Sequence, residues 1–156
     1  NELKLEGYVD ASYANNFQYS STSGYVMTFG GSAISWNSKR QSTIALSAAE
    51  AEYIAATDVG KECLWWKTFL KPFKLAQETI TIHEDNQAAI ALTKNPQFHD
   101  RTKHIQVRYH WIREQVSNGQ FKLIYINTKN QLADLFTKAL QGFVLRPLYR
   151  RLGLDC

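Results

Sequence analysis

The order of strand and helix patterns along the chain is the feature that most restricts its fold. Apolar and polar residues alternate from Leu5 to Ser12, which is the period of a strand. Two further strand patterns, Gly24 to Phe29 and Ala33 to Trp36, flank a turn at Gly30-Gly31. Helix and strand patterns alternate after that. Because hairpin strands pair antiparallel and helical crossovers join parallel strands, this order predicts an α/β fold in which helices cover a mixed sheet. The pattern leaves the order of the strands open.

The later elements are predicted from helix-forming residues and from the residues that stop helices. One long helix is predicted from Thr43 to about Leu70, with Pro72 marking its end. The other predicted elements are a strand at Thr79–His83, helices at Asn86–Lys94 and Arg101–Val116, a strand at Phe121–Ile126 and a helix at Asn130–Leu140. The remainder, Gln141 to Cys156, is helix-like but contains Pro147, and the pattern does not decide its structure.

The 156 residues fit a single domain, with a core at about 5–140 and a C-terminal extension at 141–156. A net charge of +4 favours an anionic partner, and 13% aromatic residues exclude a disordered chain. The longest uncharged run, Ala11 to Ser38, is too polar to span a bilayer. Cys63 and Cys156 form neither a disulfide framework nor a metal knuckle, which favours a reducing compartment. The chain begins with Asn1 and shows no signal peptide, so we expect it to be part of a longer protein.

Carboxylates occupy positions that need an explanation. Asp10 lies within a strand, where Asp is disfavoured unless the strand is an exposed edge. Glu50 and Glu52 lie about 200° apart around the long helix, so only one can face a given point, and periodicity does not choose between them. Asp85 follows a strand, where ligands gather in α/β sheets, although a helix cap explains it equally well. Asp134 also suits the dipole at the start of its predicted helix.

A compact α/β fold can bring four of these acids to one edge of the sheet, where they repel one another unless cations neutralise them. Mg²⁺, with Mn²⁺ as a substitute, prefers such oxygen ligands, and two ions ~3.5–4 Å apart can hold both the attacking and the leaving oxygen of a phosphodiester. Setting four acids aside from the 14 leaves ten, against 18 Lys and Arg. The rest of the chain therefore suits a polyanion.

A basic segment at 94–113 supports the same conclusion. It holds five Lys and Arg against one acid, Asp100, a net charge of +4 that equals that of the whole chain. We expect its basic side chains, Arg101 and Lys103 among them, to contact a nucleic-acid backbone. Trp111, like Phe98 and Tyr109, is a candidate for stacking on bases, but its helical spacing from Ile105 favours packing in the core.

Six motifs follow one another with characteristic spacing between about Leu5 and Leu140. They are GYVDASY from Gly7, SAAEAEY from Ser47, EDNQAA from Glu84, RTKHI from Arg101, RYHWIRE from Arg108 and QLADLFTKAL from Gln131. Each motif alone is weak. The ordered set closely resembles the ribonuclease H domain at the C-terminal end of copia-type LTR retrotransposon polyproteins.

The resemblance implies a ribonuclease H-like fold, with a five-stranded mixed sheet whose first three strands are antiparallel and helices on both faces. It implies metal-dependent hydrolysis of the RNA strand of RNA–DNA hybrids during reverse transcription, leaving 5′-phosphate and 3′-hydroxyl ends. The implied partners are the hybrid and the polymerase domain of the same polyprotein, with no membrane. The implied location is cytoplasmic, within virus-like particles.

Position by position, the resemblance assigns the family's four catalytic acids to Asp10, Glu52, Asp85 and Asp134, and it favours Glu52 over Glu50. It implies that Asp10 bridges two Mg²⁺ ions and that Glu52 and Asp85 complete the coordination of one. Asp134 would bind the other ion, which positions the attacking water.

Matching further positions implies contacts to the hybrid from Asn15 or Asn16, from Ser47 and from Gln87. An ordinary role at a helix start explains Ser47 equally well. One family feature is missing, because the loop from Asn127 to Ala133 has no histidine to help product release. This predicts slow turnover unless another group serves. His99, His104 and His110 lie on the neighbouring segment but without zinc-binding spacing.

Two other interpretations remain beside the nuclease. Only one of the adjacent Trp65 and Trp66 can point inward, so the other is available to a partner such as a polymerase domain. An inert scaffold that holds nucleic acid or a polymerase is the rival function, although such a chain has no need for four repelling acids. A strand-transfer enzyme of the same general fold is disfavoured, because the motifs match ribonuclease H rather than an integrase.

Overall fold

The computed structural model describes residues 3–15, 19–94 and 106–154. Its strands are β1 Leu5–Ser12, β2 Thr22–Phe29, β3 Ser32–Arg40, β4 Ile80–Glu84 and β5 Phe121–Tyr125. Its helices are α1 Ala48–Leu70, α2 Gln87–Lys94, α3 Gln106–Ser117 and α4 Gly142–Arg151, with short 3₁₀ turns at Lys71–Phe73, Thr128–Asn130 and Leu132–Phe136.

The five strands form one mixed sheet in the order β3-β2-β1-β4-β5. The pairs β1–β2 and β2–β3 are antiparallel, whereas β1–β4 and β4–β5 are parallel. The predicted α/β class, the five-stranded mixed sheet and its antiparallel first three strands are therefore confirmed. Because β1 is the central strand and Asp10 is only 1% exposed, an exposed edge does not explain this residue.

Alternate residues of the central strands serve two cores, one on each face of the sheet. Val9 packs on one face with residues of α1, α2 and α3. Tyr8 packs on the other face with the Leu132–Phe136 turn and with Leu148 and Leu152 near the end of the chain. Helices thus cover both faces, as expected. The C-terminal segment that the sequence left undecided closes the second core as helix α4.

Gly60 lets α1 approach the sheet and α3 closely. A Cβ atom at this position would lie 2.8 Å from Cζ of Phe121 and 3.2 Å from Cζ3 of Trp111. The Trp111 ring packs against the core and lies 6.3 Å from the Phe121 ring. The interpretation of Trp111 as a core residue is confirmed.

Helix α1 begins at Ala48 and not at Thr43, because side chains cap it there. The Ser47 hydroxyl accepts a hydrogen bond from the Glu50 N–H at 3.1 Å, and a Glu50 carboxylate oxygen accepts one from the Leu46 N–H at 2.6 Å. This reciprocal pair satisfies amides that have no partner inside the helix. The chain from 43 to 46 therefore lies outside the helix.

The predicted helix at Asn130–Leu140 is wrong. Two 3₁₀ turns, Thr128–Asn130 and Leu132–Phe136, stand in its place. The Asn127 side chain accepts from the Lys129 N–H and the Gln131 side chain from the Ala133 N–H, so side-chain acceptors take the amides that an α-helix would use. Gln131 itself is extended, which separates the two turns.

The other predicted elements are present, and their described ends differ from the predicted ones by at most four residues. The described part of α3 runs from Gln106 to Ser117, and it ends as predicted at Asn118-Gly119, where Gly119 adopts φ +67°. Its predicted first residues, 101–105, lie outside the described residues. Helix α4 continues through Pro147. No helix in the described part of the chain is long and apolar enough to cross a membrane.

Candidate metal centre

Five carboxylates meet where the parallel strands β1 and β4 end. Oxygens of Asp10, Asp85 and Asp134 all lie within 4.8 Å of one another, and oxygens of Glu52, Glu84 and Asp85 do so as well. Asp85 belongs to both groups. The structure thus brings together the four acids singled out in the sequence and adds Glu84, which sequence reasoning missed.

The segment that encloses Asp10 can lie on the sheet only because the residue paired with Asp10 is a glycine. Asp10 pairs across β1 and β2 with Gly24, where a Cβ atom would lie 2.6 Å from Cγ2 of Thr137 and 2.8 Å from Cβ of Phe136. Both distances are too short for a real side chain, so the Phe136–Thr137 backbone can lie on the sheet only over glycine. The Thr137 hydroxyl then donates a hydrogen bond to Oδ2 of Asp10.

Gln131 fixes the segment that carries Asp134. Its side chain is fully buried, and its Nε2 donates to the backbone carbonyls of Val9 at 2.8 Å and His83 at 3.4 Å. These carbonyls belong to β1, which contains Asp10, and to β4, which Asp85 directly follows, so one amide links the last acid to both strands.

Lys138 is the cation of the cluster. Its Nζ lies 2.8 Å from Oδ1 of Asp134 and 3.2 Å from Oδ1 of Asp10. Burial works against the charge of Lys138, but the hydrogen bond to Asp134 and the charges of both acids raise its pKa above the ordinary value. Burial raises the pKa of Asp134, and this outweighs the opposing hydrogen bond from Lys138. One ammonium therefore compensates the acids only in part.

The structure distinguishes Glu52 from Glu50. Glu50 belongs to the cap of α1, whereas Glu52 faces the cluster and its Oε2 has no hydrogen-bond partner among the described residues. Burial raises the pKa of Glu52 to about 11, and the charges of Glu84, Asp10 and Asp85 add to the rise. A neutral Glu52 is therefore the form that the protein without metal favours at pH 7.

Glu84 is completely buried at the end of β4. Its Oε1 accepts from the Asn86 N–H at 3.0 Å, and its Oε2 has no partner among the described residues. Burial raises its pKa to about 8, against the hydrogen bond from Asn86. The sequence signal that points to Glu84 is a pair of adjacent acids, Glu84 and Asp85, at the end of a buried strand.

Asp85 is not the cap of α2. Asn86 has that role, since its side-chain oxygen accepts from the Ala89 N–H at 3.1 Å. The helix-cap explanation of Asp85 therefore does not hold, and its carboxylate lies among the other acids.

The donor set fits a hard divalent cation. Every candidate ligand is a carboxylate oxygen, which Mg²⁺ and Mn²⁺ prefer. Two of these oxygens, Glu52 Oε2 and Glu84 Oε2, are buried without a partner among the described residues. A buried carboxylate oxygen without a partner destabilises the folded protein, and a bound cation offsets this cost.

The predicted hybrid contacts are not part of the carboxylate groups. Asn15 is exposed and bonds to Thr22 Oγ1 at 3.2 Å, Gln87 is exposed at the first residue of α2, and the Ser47 hydroxyl caps α1. Asn16, Arg101 and Lys103 lie outside the described residues, as do His99 and His104. His110 is exposed, and it lines a cavity of about 490 Å³ with Lys94 and Arg113.

The chain is similar to segments of plant transposon proteins. It is 50% identical over 137 residues to the Retrovirus-related Pol polyprotein from transposon TNT 1-94 of Nicotiana tabacum, which covers 87% of this chain and 10% of that protein. It is 36% identical over 156 residues to the corresponding polyprotein from transposon RE2 of Arabidopsis thaliana, with 99% of this chain covered and 11% of that protein. The chain thus spans about a tenth of these relatives. No family model matches it.

Solved structures share the fold at low sequence identity. RNase H1 from Halobacterium salinarum superimposes with a TM-score of 0.62 at 12% identity, covering 86% of this chain and 94% of that one. LC11-RNase H1, solved in complex with an RNA/DNA hybrid, gives 0.61 at 14% identity, covering 86% and 94%. The Prototype Foamy Virus protease-reverse transcriptase gives 0.57 at 13% identity, covering 88% of this chain and 21% of that one.

Proposed function

Because this chain belongs to the ribonuclease H domains of copia-type retrotransposon Pol polyproteins, we propose that it hydrolyses the RNA strand of RNA–DNA hybrids during reverse transcription. The products would carry 5′-phosphate and 3′-hydroxyl ends, and the reaction would take place in cytoplasmic virus-like particles. The observation that carries the proposal is the meeting of five carboxylates at the ends of β1 and β4, two of which have a buried oxygen with no partner among the described residues.

Two Mg²⁺ ions are the proposed cofactor. When bound, they would activate water for attack and offset the negative charge that develops on the phosphate. We assign Asp10 to both ions, Glu52 and Asp85 to one, and Asp134 to the other. An oxygen of Glu84 lies within 4.8 Å of oxygens of Glu52 and Asp85, so Glu84 would offer a further ligand to the ion that those two acids hold.

The chain's own residues prepare this centre in three ways. Gln131 holds the Asp134 segment against the strand ends, and Thr137 orients the Asp10 carboxylate. Lys138 holds Asp10 and Asp134 together through its ammonium group. A divalent ion held by these two acids would compete with that ammonium group for their oxygens.

The preference for hybrid is proposed to come from groove shape and the 2′-hydroxyl. The candidate contacts, Asn15 or Asn16, Ser47 and Gln87, are short polar side chains that can bond to sugar edges in a wide, shallow minor groove. They lack the bidentate reach that reads guanine in a major groove. Arg101 and Lys103 would contact phosphates, which position the protein without reading sequence.

We expect cleavage of RNA–DNA hybrid, no cleavage of the matched DNA duplex and little dependence on sequence. The measurement is a cleavage ladder in Mg²⁺ on labelled RNA–DNA, RNA–RNA and DNA–DNA duplexes of one sequence, repeated with other hybrid sequences. Comparable cutting of DNA–DNA would refute the ribonuclease H activity. Cutting confined to one sequence context would refute recognition by shape and leave the metal chemistry intact.

The double variant Arg101→Ala, Lys103→Ala is expected to weaken hybrid binding without changing which phosphodiesters are cut. Removing one basic side chain that binds a phosphate reduces the slope of log affinity against log salt by roughly 0.7 to 0.9. Titrations of labelled hybrid at several salt concentrations, in Ca²⁺ to prevent cutting, give this slope. Lys122→Ala, an exposed lysine on β5, is the control. An unchanged slope in the double variant would make the basic segment a solvated or protein-binding face.

A further inference from the structure

Three aromatic rings form an exposed row along the last turns of α1 and the 3₁₀ turn that follows it. Trp65, Phe69 and Phe73 are 55%, 47% and 61% exposed, and we call them the aromatic ladder. The Trp65 and Phe69 rings stack with centroids 5.2 Å apart and planes 7° apart, and the Phe73 ring follows at 5.6 Å from Phe69.

A fourth aromatic side chain supports the ladder on the side that faces the core. Trp66 packs against the core, its indole N–H donates to Glu62 Oε1 at 3.1 Å, and its ring meets those of Trp65 and Phe69 edge-on. Of the two adjacent tryptophans, Trp66 is therefore the inward one and Trp65 the outward one, in agreement with the expectation that only one can point inward. Because the rings already stack on one another, docking a partner would cost little side-chain ordering.

The loop that follows the ladder contacts the start of β1. Gln77, four residues beyond Phe73, accepts a hydrogen bond through its side-chain oxygen from the Leu5 N–H at the start of β1. Lys67 of α1 holds the same loop by donating to the Glu78 carbonyl and, at 2.9 Å, to Gln120. The start of β1 therefore lies beside the loop that follows the ladder.

The area of the ladder favours a tethered partner over a free one. Aromatic side chains bury roughly 150–250 Å² each, so three half-exposed rings offer on the order of 300 Å². A stable complex of separate proteins buries about 800 Å² per partner, well above what the ladder provides. A partner in the same chain needs less, since a short tether gives an effective concentration of about millimolar. The curated relatives are about ten times longer than this chain, so they contain further polypeptide that can supply such a tethered partner.

Exposed lysines border the ladder. Lys61 lies one helical turn before Trp65, and Lys71 and Lys74 flank Phe73. Lys61 has Asp58 at 4.0 Å, a contact at the limit of an ion pair. A complementary surface would be apolar at its centre and acidic at its border, because like charges opposite the lysines would oppose docking.

We propose that the aromatic ladder is the docking surface for the polymerase region that precedes this domain in the polyprotein, through an apolar patch bordered by acidic side chains. The proposal rests on the proposed function for the identity of that region. It concerns a contact within the reverse transcriptase, so its test needs no nuclease activity.

The test is hydroxyl-radical footprinting of the reverse transcriptase that carries the polymerase region and this domain in one chain. The same enzyme unfolded in guanidinium gives each ring's intrinsic reactivity. Trp36 and Phe143, which are 61% and 75% exposed in the domain, are controls of matched residue type. We expect oxidation of Trp65, Phe69 and Phe73 to fall at least about fivefold below that of these controls, because the centre of an interface excludes water.

A second enzyme, with Lys61→Glu, Lys71→Glu and Lys74→Glu, is expected to lose this protection while Trp36 and Phe143 react as before. Ladder residues that react like their controls in the parent enzyme would overturn the proposal. So would protection that depends on enzyme concentration, which indicates a second copy, or protection seen only with added hybrid, which indicates nucleic acid. If the ladder is protected in an enzyme that cuts no hybrid, this inference holds and the proposed function is refuted.

Discussion

Asp10→Asn is expected to lower the rate of hybrid cleavage by at least about 10³-fold, because a shared ligand of both ions loses its charge. Coordination by such ions is worth several kcal/mol in the transition state, and each 1.36 kcal/mol corresponds to about tenfold in rate. Asn has the size of Asp and retains an oxygen that can accept from Thr137, so the fold around this 1% exposed side chain should persist. Hybrid affinity should fall only modestly.

The measurement is single-turnover cleavage with enzyme in excess, with hybrid affinity measured separately in Ca²⁺. Asp58→Asn is the matched control, since Asp58 lies on α1 in a partly exposed ion pair with Lys61 and belongs to neither carboxylate group. A rate for Asp10→Asn near that of the parent protein would refute the two-ion assignment. If the parent itself binds hybrid equally in Mg²⁺ and Ca²⁺ and cuts in neither, the inert scaffold is the correct function.

The sheet could be predicted because its signals are local. Alternation in β1, a Gly-Gly turn between β2 and β3, and Pro72 after α1 each reflect backbone geometry that a few neighbouring residues determine. The order β3-β2-β1-β4-β5 could not be derived from the pattern, since strand order depends on contacts between residues far apart in sequence. The start of α1 was misplaced because Ser47 and Glu50 form a cap whose strength exceeds the helix propensity of the residues before it.

The candidate site could likewise be predicted only where its signals are local in the sequence. The motifs identify four of its acids, but not Glu84, because the complete burial of this residue depends on tertiary packing that the local pattern does not reveal. The role of Lys138 was also missed, since its contact with Asp10 joins residues 128 positions apart. The segment around Asp134 was assigned to a helix because periodicity does not reveal that the Gln131 side chain bonds to the strands and to the Ala133 N–H. Gly24, which admits this segment, looks like any strand glycine in the sequence.

The cluster makes the stability of the metal-free protein depend on pH with a definite sign. Burial and neighbouring acids raise the pKa of Glu52 from 4.5 to about 11, and burial raises that of Glu84 from 4.5 to about 8. Above about pH 4.5 the folded protein therefore keeps protons that the unfolded chain releases. Each such proton lowers the free energy of unfolding by about 1.4 kcal/mol per pH unit. Stability without metal should thus fall between about pH 5 and 8, through the Glu84 pKa, and bound Mg²⁺ should restore it because it binds only the folded state.

Glu52→Gln is expected to raise the stability of the metal-free protein and to remove cleavage, whereas Glu50→Gln is expected to lower stability and to keep cleavage. Glu52→Gln removes one retained proton, so without metal it should be more stable than the parent at pH 8, by about 1–3 kcal/mol, with a shallower pH dependence. It should lose nearly all cleavage and part of the stabilisation by Mg²⁺, because the ion assigned to Asp10 and Asp134 keeps its ligands. Glu50→Gln weakens only the α1 cap, so it should cost about 0.5–1.5 kcal/mol at both pH values and keep cleavage near that of the parent.

Urea unfolding followed by tryptophan fluorescence at pH 5.5 and 8, with EDTA or Mg²⁺, measures the stabilities, and single-turnover cleavage measures the activities. An inactive Glu50→Gln beside an active Glu52→Gln would show that the wrong glutamate of α1 has been assigned to the ions.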